Sequence, residues 1–195
     1  MTGTHVRSVA VFCGSKIGSN PAWAEAAQDL GTGLARAGIR LVYGGGHIGI
    51  MGVIADAVLG ADGIVLGVIP QFLTNYEIAH TGLNDLVVTD SMHSRKRHMF
   101  EESDAFVMMP GGVGTFDETI EVITWRQLKL HDKPILIADI EGSAGAFVAL
   151  IDDAIANGFM TPENRGLFEV IDGVPGLLAR LSELDCSAAE NGERI

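Results

Sequence analysis

A carboxylate one helical turn behind a glycine-rich loop can act on a ligand whose anionic group the loop holds. The segment Pro110-Gly111-Gly112-Val113-Gly114-Thr115-Phe116-Asp117-Glu118 has this form. It follows the apolar run Ala105–Met109 and opens a helical pattern. Glycines let the main chain approach a ligand closely, and the N–H groups and dipole of a helix start favour an anion such as a phosphate. Thr115 either caps the helix or hydrogen-bonds the phosphate. Glu118 would repel a phosphate beside it, so it is expected to face another part of the ligand. The competing reading is a capping box, Thr115-x-x-Glu118, in which the glutamate bonds the N–H of the cap residue. Local sequence leaves both open. Glu121, three residues further on, adds a second carboxylate or is solvated.

Two cations stand on a nearby helical pattern. Met92, Arg95, Lys96, Met99 and Phe100 follow i, i+3, i+4, i+7 spacing and share one face. Arg95 and Lys96 therefore lie on a stripe that Met92, Met99 and Phe100 would bury. Either they snorkel past the core edge, or they point into a cleft and meet an anion. Arg97 and His98 fall on other faces.

Two further loops follow apolar runs. Cys13-Gly14-Ser15-Lys16-Ile17-Gly18 lacks the glycine spacing of a P-loop. It reads as a tight turn, or as a small loop whose backbone and Ser15 hydroxyl touch a nucleotide. Gly44-Gly45-Gly46-His47-Ile48-Gly49 meets the dinucleotide fingerprint in form, but the following strand ends in Val68-Ile69-Pro70-Gln71 without the required acid. A nicotinamide cofactor is therefore not expected. Close approach of this backbone to a ligand is expected, with Gly45 as a contact, because successive glycines cost chain entropy. His47 reads as a loop histidine.

The elements that must position these loops alternate. Strands are expected at Ser8–Cys13, Ile39–Tyr43, Gly63–Ile69, Leu86–Thr89, Ala105–Met109, Pro134–Ala138 and Phe168–Ile171. Most of these runs carry Val, Ile or Leu with little polar alternation, as strands buried on both faces do. Helices are expected from Asn20-Pro21 to about Ala37 and from about Gly49 to Leu59. Four more fit roughly Ser91–Glu102, Thr115–Leu130, Ala144–Ala156 and Pro175–Leu184. The rhythm implies an α/β fold: one domain, an open, doubly wound parallel sheet between two helical layers, with ligands beyond the carboxyl ends of the strands. The segment Gln71–Asn84 is long enough for a functional loop. Residues 1–185 are expected to form the domain, and the polar stretch 186–195 a disordered tail.

Of 195 residues, 47% are hydrophobic and 19% charged. The formal net charge of −12 repels nucleic-acid polymers and anionic membranes. A small anion can bind only where local cations or N–H groups override that field. Cys13 and Cys186 match no disulfide framework or zinc spacing. The opening residues MTGTHVRSVAVFCG carry no signal-peptide core, and no apolar run has the length of a membrane span. A cytoplasmic protein with no metal and no cofactor is expected.

The order VFCGS, YGGGxxGxMG, GVIP, MHxRK, PGGxGTxxE and EVITWxQL resembles the LOG (Lonely Guy) family of cytokinin riboside 5′-monophosphate phosphoribohydrolases, from about Val6 to Leu184. Many of its members were once labelled possible lysine decarboxylases, but no lysine here sits in a pyridoxal phosphate context. The resemblance implies a Rossmann-like fold and a homodimer. It implies hydrolysis of purine nucleoside 5′-monophosphates, AMP or its N6-prenylated relatives, to free base and ribose 5-phosphate. By position it carries the catalytic pair onto Arg95 and Glu118. It places substrate contacts on Glu77, Lys96, Pro110, Gly111, Gly112, Val113, Gly114, Thr115 and Phe116, and on Ser15, Met92 and Thr124. The sequence departs from the pattern where Val113 replaces a common Tyr, where Asp117 replaces a common Glu, and across Thr74–Asp85. The rival function is a non-hydrolytic nucleotide or cofactor carrier, which would keep the loop but need neither Arg95 nor Glu118.

Overall fold

The computed structural model describes residues 4–74 and 79–186. Each long apolar run folds as a strand, and helices fill the gaps. In chain order these are β1 (Thr4–His5), β2 (Ser8–Phe12), α1 (Pro21–Arg36), β3 (Arg40–Tyr43), α2 (Gly49–Gly60), β4 (Val65–Pro70), β5 (Asp85–Thr89), α3 (Met92–Glu101), β6 (Ala105–Met108), α4 (Val113–Gln127), β7 (Ile135–Asp139), α5 (Gly145–Ala156), β8 (Glu169–Asp172), α6 (Gly173–Glu183) and β9 (Asp185–Cys186). Local chemistry sets the boundaries. The Asn20 side chain accepts the Ala22 N–H at 3.0 Å and starts α1 at Pro21. Ser91 and Ser94 cap α3 reciprocally, at 3.1 and 3.2 Å.

Several boundaries differ from expectation by two or three residues, and two of them have a clear local cause. Helix α4 begins at Val113 rather than Thr115, because Gly112 is extended and acts as the cap residue. Strand β4 begins at Val65 rather than Gly63, because Asp62 takes a positive φ of 58° and prolongs the turn after α2. The antiparallel pair β1–β9, with Thr4 opposite Cys186, was not expected, since two-residue strands carry no periodicity. The stretch expected as a tail lies outside the described residues beyond Cys186.

Strands β5-β4-β3-β2-β6-β7-β8 form one seven-stranded parallel sheet. The strand order reverses between β2 and β6, so the carboxyl ends of these two strands flank the switch point. Helices α1, α2 and α6 cover one face, with Leu30, Ile54 and Leu177 packed on Val9, Leu41 and Val107. Helices α3, α4 and α5 cover the other, with Met99, Val122 and Phe147 packed on Phe106, Val68 and Ile137. This is the doubly wound, three-layer fold that the alternation implies.

Buried His131 secures the far end of α4. Its Nε2 donates to the Val122 carbonyl at 2.8 Å, and its Nδ1 accepts the Lys133 N–H at 3.1 Å. Burial, partly offset by the Val122 bond, holds its pKa below the ordinary histidine value, so the ring is neutral. No helix among the described residues is long and apolar enough to cross a membrane.

Candidate active site

A cavity of about 520 Å³ opens at the carboxyl ends of β2, β3 and β6, where the strand order reverses. Three glycine loops build its walls by interlocking. The Gly14 N–H donates to the Pro110 carbonyl at 3.1 Å, and the Met51 N–H donates to the Gly14 carbonyl at 3.2 Å. Gly49, at a φ of 68°, lies on the main chain of Ser15 and Lys16, where a Cβ would collide. A Cβ on Gly111 would collide with the Thr115 hydroxyl. Side chains larger than hydrogen at these points would force the loops apart.

Gly112 to Thr115 form the entry and first turn of α4, and the first intrahelical bond runs from the Phe116 N–H to the Gly112 carbonyl at 3.1 Å. The N–H groups before it have no acceptor within the helix and favour an anion. Thr115 is thus a buried first-turn residue, not the cap, which corrects the capping-box reading of Thr115 and Glu118. The cause is Gly112, whose extended conformation starts the helix earlier than the hydroxyl pattern implies.

Arg95 and Glu118 both line the cavity and are 4% and 9% exposed. One Arg95 Nη2 proton goes to the Gly44 carbonyl at 3.1 Å, and the same nitrogen lies 4.0 Å from Glu118 Oε1. Gly44 makes this possible, since a Cβ there would collide with the guanidinium. The reciprocal cap at Ser91 sets the phase of α3, so that Arg95 turns inward one turn later. Ser94 also donates to Asp90, which with the Ser91 hydroxyl holds that carboxylate below its usual pKa.

Ser15, Met92, Pro110, Gly111, Gly112, Val113, Gly114 and Thr115 also line the cavity. Gly45, Lys96, Phe116 and Thr124 do not. Gly45, with a φ of 76°, turns toward Ile69 and Leu86, and its carbonyl accepts the His80 N–H at 3.0 Å. Lys96 reaches α4 instead, with Nζ 3.2 Å from Asp117 Oδ2 and 3.1 Å from Glu121 Oε1. Burial opposes its charge, but the bonds to Glu121 and Asp117 outweigh it and raise its pKa. Phe116 packs on Phe147 with ring centroids 6.0 Å apart. Thr124 is exposed and its hydroxyl bonds the Ile120 carbonyl at 2.8 Å. Glu77 lies outside the described residues.

The cavity also has a largely apolar wall of Ile17, Trp23, Met51 and Leu73, and a cation, Lys16, beside Ser15. Trp23 on α1 and Met51 on α2 carry no motif that marks them in the sequence, and the fold brings them to the cavity. His47, Asp56 and His80 also converge, a group their separation in sequence conceals. His80 Nδ1 accepts the Gly82 N–H at 3.0 Å, so in the neutral ring Nε2 carries the proton and donates to Asp56 Oδ1, also at 3.0 Å. Both ring nitrogens are thus engaged, and the group presents no imidazole lone pair of His80 to a metal.

A parallel, doubly wound sheet with a glycine-walled cavity and a helix start at its switch point defines a Rossmann-like α/β protein. A family model described as "Possible lysine decarboxylase" matches residues 51–181. A cytokinin riboside 5′-monophosphate phosphoribohydrolase of Arabidopsis thaliana is 40% identical over 177 residues, which are 91% of this chain and 83% of that protein. A protein of the same name from Rhodococcoides fascians is 41% identical over 176 residues, 90% of this chain and 89% of that one. The chain belongs to this phosphoribohydrolase family. The molybdenum cofactor carrier protein of Chlamydomonas reinhardtii superposes with a TM-score of 0.68 at 21% identity, covering 89% of this chain and 94% of that chain, a likeness of fold alone.

Proposed function

We propose that this chain hydrolyses the N-glycosidic bond of purine nucleoside 5′-monophosphates, releasing the free base and ribose 5-phosphate. The observation that carries this reading is the pair Arg95–Glu118, buried together beside the anion-favouring start of α4. Departure of the base leaves positive charge on the ribose ring, as in sugar hydrolysis. The Glu118 carboxylate stabilises that charge. The bond from the anomeric carbon to the base nitrogen breaks with its electron pair going to the base, water oxygen bonds the carbon, and a water proton ends on the base. Arg95 keeps its proton; it orients the substrate and offsets negative charge. A carrier on this fold would need the loop but not this pair.

The cradle at Gly111–Thr115 makes the 5′-phosphate obligatory. Charge-assisted hydrogen bonds contribute about 1.5–3 kcal/mol each, so adenosine turns over at least about a hundred-fold more slowly than AMP. Chromatography of released adenine reads the difference, and equal rates would exclude this role for the loop.

We further propose that residues 1–185 act as one catalytic domain, in the cytoplasm, as a homodimer. Val113 and Ile120 on α4 and Leu128 at its C-cap are 83%, 38% and 63% exposed at spacings that share a face. Such an apolar stripe, which begins with Val113 at the cavity, fits a second copy. Sedimentation at micromolar protein is expected to give about twice the chain mass of 20.6 kDa; a monomer mass would remove the dimer.

A further inference from the structure

The cations around the cavity have different commitments. Arg95 lies buried beside Glu118, with one nitrogen on the Gly44 carbonyl. Lys96 is held between Asp117 and Glu121 on α4 and does not reach the lining. Lys16 lines the cavity, is exposed, and makes no ion pair with the described residues. The sequence pattern gives Lys16 no role beyond a turn.

Its turn is anchored on every side. A Cβ on Gly14 would stand 3.0 Å from the Lys16 carbonyl oxygen and 3.3 Å from Gly111 Cα, so the main chain at Lys16 adjoins the loop that leads into α4. Gly49 packs on the Lys16 N–H from the other side. Gly18, at a φ of 81°, closes the turn over the Trp23 ring. The main chain at Lys16 is therefore placed by three loops, while its exposed side chain lines the same cavity as the start of α4. In a chain of net charge −12, an anion approaching this cavity meets a repulsive field. An exposed ammonium lining the same cavity as the start of α4 offsets that field locally.

We propose that Lys16 is the phosphate-binding cation of this site, recruiting the anion and pairing with it once the start of α4 holds it. The proposal rests on the nucleoside monophosphate reading above, but binding tests it separately from catalysis. The probe is ribose 5-phosphate, titrated by calorimetry into the wild type, Lys16→Met and Lys16→Arg. Lys16 is exposed, so both variants keep the fold, which their melting curves check. At low salt Lys16→Met weakens binding about tenfold, since charge-assisted bonds are among the stronger ones. Lys16→Arg stays within about threefold, because it retains the charge. The gap between wild type and Lys16→Met narrows as salt rises to about 0.5 M, where an exposed pair is screened. Equal affinity of wild type and Lys16→Met at low salt overturns the proposal, and so does a wild type that does not bind ribose 5-phosphate. A wild type that binds it through Lys16 yet leaves AMP intact supports the proposal and overturns the hydrolase reading instead.

Discussion

Glu118→Gln slows release of adenine from AMP at least about a hundred-fold, yet the variant folds and still binds the nucleotide. Glutamine keeps the length and shape of glutamate, so the packing around position 118 is preserved. It lacks the negative charge that a positive ribose ring requires. Loss of one preorganised electrostatic partner typically costs about 2.7–4 kcal/mol, a factor of about 10²–10³ in rate. The effect on stability is smaller. Position 118 is not part of a helix cap, since Gly112 caps α4. The ionic attraction removed acts across 4.0 Å to Arg95. A cost of about 1–2 kcal/mol would lower the melting temperature by about 2–8 °C in a domain of this size. Assays well below the melting range separate the two effects. Nucleotide affinity is kept or increased, because the amide no longer repels the phosphate. Near-normal turnover in a well-folded variant would leave the carboxylate without a chemical role.

The sheet was legible because its inner strands are buried on both faces, while the edge strands β5 and β8 are largely exposed. Val65–Pro70 is buried throughout and reads as an unbroken apolar run. The stripe on α3 was legible as a face but not as two destinations. Arg95 and Lys96 are neighbours, about 100° apart around the helix. That angle sends Arg95 down to Gly44 and the cavity, and Lys96 across to Asp117 and Glu121 on α4. The partners of Lys96 lie more than twenty residues away, so helical spacing alone cannot find them. The same limit hides Lys16, whose role depends on three loops that meet only in the fold. It hides the convergence of His47, Asp56 and His80. The helix start failed for a different reason. Thr115 and Glu118 have the capping-box spacing, but an extended glycine three residues before the expected start took the cap.

Gly44→Ala costs activity through Arg95 although residue 44 has no side chain to contribute. A methyl group there collides with the Arg95 guanidinium and stands 3.0 Å from Met51 Sδ. The backbone itself accepts alanine, since Gly44 is not among the positive-φ residues. The conflict is therefore one of space, and the movable partner is the end of the arginine. Overpacking of this kind costs about 1–3 kcal/mol in stability. Displacing Arg95 from its place beside Glu118 removes an electrostatic partner, with an expected loss of about 10²-fold in turnover. A double-mutant cycle isolates this route. Arg95→Ala alone lowers turnover to a similar degree. On that background the alanine at 44 has room, so Gly44→Ala adds no more than about threefold, and the combined loss falls far short of the product of the single losses. The stability cost of Gly44→Ala shrinks on the same background, because the colliding group is gone. If the two losses multiply, the methyl acts on the glycine loop itself. If Gly44→Ala is as active as wild type, the guanidinium has moved without cost to turnover, and its position beside Gly44 is not the one that turnover needs.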